Sequence, residues 1–280
     1  MLNHFKTAFF LALLSAIVLG IGYLIGGSAG LTIGLIIAVA MNFGMLFFSH
    51  KLVLWMYKAK EAPKARYPAL HTMVEEIAKT AGIPKPKVYI VPSDAPNAFA
   101  TGPNYKNSIV ACTQGILDLL SKDELKGVLA HELAHIKNRD MLISTIAATI
   151  ASIISYAAFM ARFAAFTDDE RGNNSIIGLI LIGILAPIAA MLIQMAISRA
   201  REYIADETGA RFIRNPLPLA NALAKLESES KRKPLRLGTE STNHLFIVNP
   251  FRGTGRAFVN LFTTHPPMDL RIKRLREMKL

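Results

Sequence analysis

His131-Glu132-Leu133-Ala134-His135 lies just before a long uncharged stretch of this 280-residue chain. In a helix, residues four apart share one face, so both imidazoles can point at a single metal ion. Glu132, between them, is placed to act on a water molecule at that ion. A helix is expected here because Ser121-Lys122-Asp123-Glu124 has the S-x-x-E pattern of a capping box, and the helix is predicted to continue to about Asn138.

The composition indicates a membrane protein. Hydrophobic residues make up 52% of the chain and charged residues only 19%, against about 25% charged residues in soluble domains. A membrane span needs about 20 apolar residues. A cleaved signal peptide is the alternative for the first run, but that run is too long and a second follows directly. We predict four spans, divided by polar or glycine-rich residues, at about 8–26, 31–50, 141–161 and 176–198.

The distribution of basic residues predicts the orientation of these spans. The net charge is +12, and basic residues in short loops remain on the cytoplasmic side and lie against anionic lipid. We find no nucleic-acid motif, so a nucleic-acid partner is not expected. The N-terminal hairpin (1–50) and a second hairpin (141–198) would hold two cytosolic segments, 51–140 and 199–280. The basic residues on that side are Lys6, Lys51, Lys58, Lys60, Lys64, Arg66, Lys137, Arg139, Arg199 and Arg201.

The two cytosolic segments together predict one α+β domain. Apolar periodicity indicates helices near 67–81, 199–213 and 219–229, and a basic helix at 268–280. Short β-rich runs bounded by prolines and polar residues indicate strands at 87–91 and 108–112. The only cysteine, Cys112, excludes an internal disulfide and is expected to be a buried core thiol.

A catalytic zinc ion takes three protein ligands and leaves one position for water, so a third ligand is required. The remaining histidines include His265, and an acidic ligand is the other option. Glu202 and Asp206 are four residues apart and share a helical face. Glu202 could bind the metal while Asp206 accepts the proton of a ligand imidazole. The alternative for Glu202 is an ordinary salt-bridged surface carboxylate.

The residues His131–His135 and the run Arg199-Ala-Arg-Glu202-Tyr-Ile-Ala-Asp206 together resemble the HtpX family of membrane-integral zinc metalloproteases. That family is similar to the type I CAAX prenyl proteases. The resemblance covers the whole chain, and 97–102 and 264–267 also look like short family motifs. It implies an α-helical integral membrane protein of the bacterial or archaeal cytoplasmic membrane, with four transmembrane helices and a cytosolic α+β zincin-like metalloprotease domain. It also implies one Zn²⁺ per chain, with ligands His131, His135 and Glu202.

The resemblance and the motif together predict peptide-bond hydrolysis. Glu132 would take a proton from the attacking water and pass it to the leaving amine. His265 is the candidate for a second donor to the developing oxyanion, because Pro266 and Pro267 fix the backbone beyond it. The alternative for His265 is a surface loop histidine. The substrate is expected to bind in an extended conformation along an edge strand at Asn97, Ala98 and Phe99, through backbone groups.

The family resemblance implies cleavage of membrane proteins at cytosolic segments, in quality control and stress response. The chain has no G-x-x-x-x-G-K-[ST] nucleotide motif, so the protein is expected to act on loose segments of its substrates or to depend on a partner ATP-dependent membrane protease. Two rivals remain. One is a prenyl-peptide protease of the CAAX type. The other is a non-enzymatic scaffold stabilised by zinc, but such a site would fill all four positions with protein ligands, and no cysteine is near.

Overall fold

The computed structural model describes residues 27–30, 32–37, 39–41, 43–44, 48, 50–167, 173–232 and 266–280. Helical residues occur between 27 and 56. The strands are β1 (Lys60–Glu61), β2 (Lys87–Val91), β3 (Ala98–Thr101) and β4 (Ile109–Thr113). The helices that follow are α1 (Pro68–Ala81), α2 (Gln114–Leu119), α3 (Lys122–Lys137), α4 (Asp140–Thr167), α5 (Asn173–Ile213), α6 (Leu217–Arg232) and α7 (Met268–Glu277).

The four strands form a small mixed sheet in the order β1-β2-β4-β3. The central strand β4 pairs in parallel with β2, with Val88 opposite Val110, and antiparallel with β3, with Ala98 opposite Cys112. Every residue of β4 is buried, as expected for a strand covered on both faces. The strand β3 lies at an edge of the sheet and packs against α3. The predicted edge strand is therefore next to the helix that carries the two histidines.

The helix α3 forms the centre of the core. The Ser121 hydroxyl accepts a hydrogen bond from the Glu124 N–H, and the Glu124 carboxylate accepts one from the Ser121 N–H. The predicted capping box is therefore present. Val128, Leu129 and Leu133 are fully buried, because α1, α5 and α6 pack around α3. This packing places the H-E-x-x-H residues inside the protein.

The helix α5 is continuous from Asn173 to Ile213, whereas the sequence predicted a span at 176–198 followed by a separate helix. No proline or glycine occurs between Pro187 and Gly209, so nothing in the chain ends the helix at the predicted membrane boundary. The helices α4 and α5 pack against each other. Glu202 therefore projects from a rigid extension of the last predicted span.

Apolar side chains of α4 and α5 lie exposed on the surface. Among the described residues, one helix is long and apolar enough to cross a membrane, Ile184–Ile213, with mean hydropathy 1.3 and only 11% of its most apolar window buried. The apolar helices Gly27–Met41 and Asp140–Tyr156 are shorter. The predicted span 8–26 lies outside the described residues, as does part of 31–50. The exposed apolar residues include Leu142, Ile146, Ile150, Ile153, Ile184, Leu185, Ile188, Leu192 and Ile193.

Candidate metal centre

Three potential metal ligands meet where α3 and α5 cross. The Nε2 atoms of His131 and His135 are 3.1 Å apart. Glu202 Oε2 lies 3.7 Å from His131 Nε2, and Glu202 Oε1 lies 3.6 Å from His135 Nε2. Atoms that bind one tetrahedral zinc at 2.0–2.1 Å are roughly 3.3 Å apart. The three side chains therefore fit a single zinc ion in both donor type and spacing.

The candidate centre is buried on one side and partly open on the other. The residues His131 and Glu202 are 3% and 6% exposed, whereas the His135 side chain is 20% exposed. Burying the Glu202 carboxylate is costly unless positive charge nearby compensates it. The partly exposed side, at His135, is where water or a substrate can approach.

Each histidine directs its other ring nitrogen at a carboxylate. His131 Nδ1 lies 3.0 Å from Asp206 Oδ1, and His135 Nδ1 lies 2.6 Å from Asp140 Oδ2. A carboxylate that accepts the Nδ1 proton leaves the Nε2 lone pair for a metal. The sequence predicted this arrangement for Asp206. It missed Asp140, whose only sequence signal is its position close behind the motif.

A contact between an arginine and a carboxylate stabilises the connection between α3 and α4. Arg201 donates hydrogen bonds to Asp140 Oδ1 and, over 3.1 Å, to the carbonyl of Asn138. Arg139, between these two residues, adopts a left-handed conformation with φ of 55°, which costs a non-glycine residue about 1 kcal/mol or more. Arg201 directly precedes Glu202 on α5. This helix therefore supplies the candidate ligand Glu202 and also holds Asp140, the partner of the candidate ligand His135.

Arg271 of α7 is another residue of the centre that the sequence analysis missed. Its side chain is fully buried. Its Nε lies 2.8 Å from Asp206 Oδ2, and its Nη2 lies 2.6 Å from Asp206 Oδ1. Its Nη1 lies 3.0 Å from Glu202 Oε2. The sequence predicts a basic helix at 268–280 but assigns none of its residues to the centre. The sequence contains one indication that Arg271 is buried, because its spacing places it on the same face of α7 as the apolar residues Met268 and Leu275.

The electrostatic environment of Glu132 suits proton transfer. Burial raises the pKa of Glu132, with the nearby imidazoles of His131 and His135 opposing that shift and the carboxylate of Glu202 adding to it. The backbone N–H of Ala100 in β3 donates a hydrogen bond to Glu132. General acid–base residues work best when their pKa lies near the working pH. Glu132 therefore has the chemical character expected of a proton carrier.

The carboxylates also act on the remaining ionisable groups. Burial lowers the pKa of His135, but the hydrogen bond to Asp140 and the charges of Glu202 and Glu132 outweigh it and raise this pKa to about 9. Burial raises the pKa of Asp206, but Arg271 and the contact with His131 lower it overall. The negative charge around His135 that favours a proton on the ring also favours a divalent cation bound beside it.

The predicted substrate residues lie on and beside β3. The Asn97 carbonyl accepts a hydrogen bond from the Thr113 N–H over 2.9 Å, so the Asn97 backbone faces β4. Successive residues of an antiparallel strand alternate in direction, so the backbone groups of Ala98 point away from β4. The Phe99 side chain is buried and contacts Tyr57, with ring centroids 5.9 Å apart. His265 lies outside the described residues.

An H-E-x-x-H helix, a carboxylate ligand from a second helix and a neighbouring edge strand define the class of metal-dependent peptidases. The model of Peptidase family M48 matches residues 64–279. The chain is 49% identical to a Protease HtpX homolog of Syntrophobacter fumaroxidans, over 99% of both chains. It is 52% identical to a Protease HtpX homolog of Pyrococcus abyssi, over 98% of this chain and 96% of that relative. The chain belongs to peptidase family M48, and it is a membrane-bound metalloprotease.

The fold is also similar to a solved structure. The crystal structure of S. mikatae Ste24p matches with a TM-score of 0.62 at 18% sequence identity. The match covers 96% of this chain and 63% of the Ste24p chain. At this level of identity the similarity concerns the fold alone. It extends over nearly the whole chain, including the helices that lie outside the catalytic motif.

Proposed function

We propose that this protein is a zinc-dependent endopeptidase that hydrolyses peptide bonds of membrane or misfolded proteins at the cytosolic face of the membrane. The observation that carries the proposal is the convergence of His131 Nε2, His135 Nε2 and the Glu202 carboxylate at distances of 3.1, 3.7 and 3.6 Å. We propose one Zn²⁺ per chain, because only this group of three ligands occurs among the described residues.

Glu132 is the proposed proton carrier. Zinc in this centre would polarise both the attacking water and the substrate carbonyl. Glu132 accepts a proton from the water and then delivers it to the nitrogen of the departing amine. The raised pKa of Glu132 favours the first half of this transfer, since the conjugate base of a weaker acid accepts a proton more readily. His265 is proposed as a further donor to the oxyanion.

The side of β3 that faces away from β4 is the proposed site for an extended substrate. Asn97 directly precedes this strand and Ala98 and Phe99 begin it, and the Ala98 backbone groups point away from β4 by the alternation of the ladder. An extended peptide could add to this edge as a further strand. Its scissile bond would then lie over α3, because β3 packs on that helix.

We propose the four-span topology with both termini and the active site in the cytosol. The basic residues that flank the predicted spans support this orientation. The exposed apolar surfaces of α4 and α5 support contact with lipid. His135 precedes the span predicted at 141–161 by six residues, so the centre would lie on the order of 10 Å from the membrane edge. Loosely folded segments of membrane proteins could reach it there.

The biological role that we propose is membrane protein quality control under stress. The chain has no phosphate-binding loop of the G-x-x-x-x-G-K-[ST] type, so ATP-driven unfolding of substrates would require a partner ATP-dependent membrane protease.

The test of catalysis uses the purified full chain in detergent and an unfolded soluble protein as substrate. We expect cleavage with zinc, none with a chelator, and recovery when zinc is restored. Glu132→Gln should bind zinc but cleave about 10²- to 10⁴-fold more slowly. Full activity of Glu132→Gln would refute its assigned role. Parallel assays with prenylated and unprenylated peptides test the alternative function of a prenyl-peptide protease. A strict requirement for the prenyl group would favour the CAAX-type protease.

A further inference from the structure

We infer that Arg271 is a positioning residue of the metal centre, which bridges Glu202 and Asp206 and thereby holds the Glu202 carboxylate in the orientation that binds the metal. This inference rests on the proposed metal centre. It assigns a role to the C-terminal helix α7, which the H-E-x-x-H motif does not include.

The geometry of the bridge is the first argument. The guanidinium makes two contacts with Asp206, of 2.8 and 2.6 Å, and one with Glu202 Oε2, of 3.0 Å. The two hydrogen bonds to Asp206 fix the plane of the guanidinium, and its Nη1 then holds Glu202 Oε2 by charge attraction. Glu202 keeps its other oxygen, Oε1, 3.6 Å from His135 Nε2. The bridge therefore leaves one oxygen of Glu202 directed at the histidines.

Charge repulsion is the second argument. Glu202 and Asp206 are one helical turn apart on α5 and are both almost fully buried, so their negative charges repel each other strongly in this environment. Arg271 lies between them with no exposure to solvent. Without its charge, the two side chains would lower the repulsion by rotating apart. Such a rotation would move Glu202 away from the imidazole pair.

Overall charge balance is the third argument. The centre contains four buried carboxylates, Glu132, Asp140, Glu202 and Asp206. Two guanidinium groups contact them, those of Arg201 and Arg271. When all are ionised, the excess is two negative charges, which one divalent cation neutralises. Loss of Arg271 would leave the centre with an uncompensated buried charge even when the metal is bound.

A purely structural role for Arg271 is the competing explanation, because α7 also anchors to the domain in other ways. Leu275 is fully buried. Arg274 lies over the Tyr203 ring of α5, 4.3 Å from its centroid. Arg274→Gln is therefore a matched control, since it removes a guanidinium that joins the same two helices through the Tyr203 ring and not through a carboxylate of the centre.

The experiment compares the wild type with Arg271→Gln, Arg271→Lys and Arg274→Gln as full-length proteins in detergent. For each we would measure zinc affinity by competition with a chelating dye, the visible spectrum of the Co²⁺-substituted protein, and the melting temperature without metal. We expect Arg271→Gln to lose about 10- to 100-fold in zinc affinity and to change the cobalt spectrum. Arg271→Lys should lose less zinc affinity, because an ammonium group retains the positive charge but cannot form the paired hydrogen bonds of a guanidinium. Arg274→Gln should retain the wild-type affinity and spectrum.

Three outcomes would overturn the inference. One is wild-type zinc affinity and cobalt spectrum in Arg271→Gln. Another is an equal loss of affinity in Arg274→Gln. If Arg271→Gln fails to fold, Arg271→Lys decides, and a wild-type affinity and spectrum there would show that the bridge is not needed. The wild-type protein separates the two hypotheses. If the wild type does not bind zinc, the proposed metal centre itself is wrong. If the wild type binds zinc and the variants behave as above, only the role of Arg271 is wrong.

Discussion

Nδ1 of His135 lies 2.6 Å from Oδ2 of Asp140, the first residue of α4. A residue that begins a predicted membrane-spanning helix therefore orients a predicted metal ligand. Arg201 holds the same carboxylate from α5, next to the third ligand. The predicted membrane hairpin and the metal centre thus share one network of hydrogen bonds. Changes in the packing of α4 against α5 should therefore reach the metal.

Asp140→Asn should weaken metal binding. The amide cannot hold the Nδ1 proton of His135 as a carboxylate does, so the imidazole loses both orientation and basicity. We expect zinc affinity to fall about 10- to 100-fold, measured by competition with a chelating dye. Asp123→Asn, an exposed residue in the first turn of α3, is the control and should bind zinc as the wild type does. Unchanged affinity in Asp140→Asn would remove Asp140 from the centre.

Gly209→Ala should separate α5 from α3. A Cβ at this position would lie 2.8 Å from the His131 backbone nitrogen and 2.9 Å from the Ala130 carbonyl carbon. Overpacking against backbone costs about 1–3 kcal/mol, more than the ~1 kcal/mol that alanine gains over glycine in a helix. We expect a lower melting temperature and weaker zinc binding. Gly44→Ala is the control, since that helical glycine has open space around its Cβ position and should not lower stability.

Zinc binding should release protons near neutral pH. The pKa of His135 is raised to about 9 in the metal-free protein, so the ring is protonated at pH 7 and must lose a proton to bind zinc through Nε2. The apparent zinc affinity should therefore rise between pH 6 and about pH 9. Calorimetry in two buffers of different ionisation enthalpy measures the number of protons. Heats that do not depend on the buffer would show that His135 is already neutral.

Ser121→Ala should destabilise the start of α3 without affecting catalysis directly. It removes the hydroxyl that accepts the Glu124 N–H. Loss of such a cap costs about 1 kcal/mol, which thermal unfolding of the metal-free protein should detect. Lys225 contacts the same glutamate over 2.7 Å, so part of the local structure should persist. A loss of zinc affinity larger than the loss of stability would mean that the cap also sets the position of the histidines.

Local patterns in the sequence predicted much of this structure. The capping box, the strand at 87–91, the helix that ends at Gly82 and the helical spacing of His131 and His135 depend on residues close together in the chain. Interactions within a few residues are enough to specify them. Glu202 and Asp206 were selected by their helical spacing and by the need for a third ligand. Their distance to the imidazoles required the folded structure.

Contacts between distant segments are what the sequence could not predict. Arg271 is 140 residues from His131 in the chain, yet their side chains approach within 3.4 Å, and Arg201 meets Asp140 across 61 residues. Whether a basic residue faces water or a buried carboxylate depends on which helices pack together, which no local pattern encodes. The sequence alone determined most of the helices, the apolar segments and the ligand types. Only the tertiary structure decided which charges neutralise one another, because that energy depends on distances and burial created by folding.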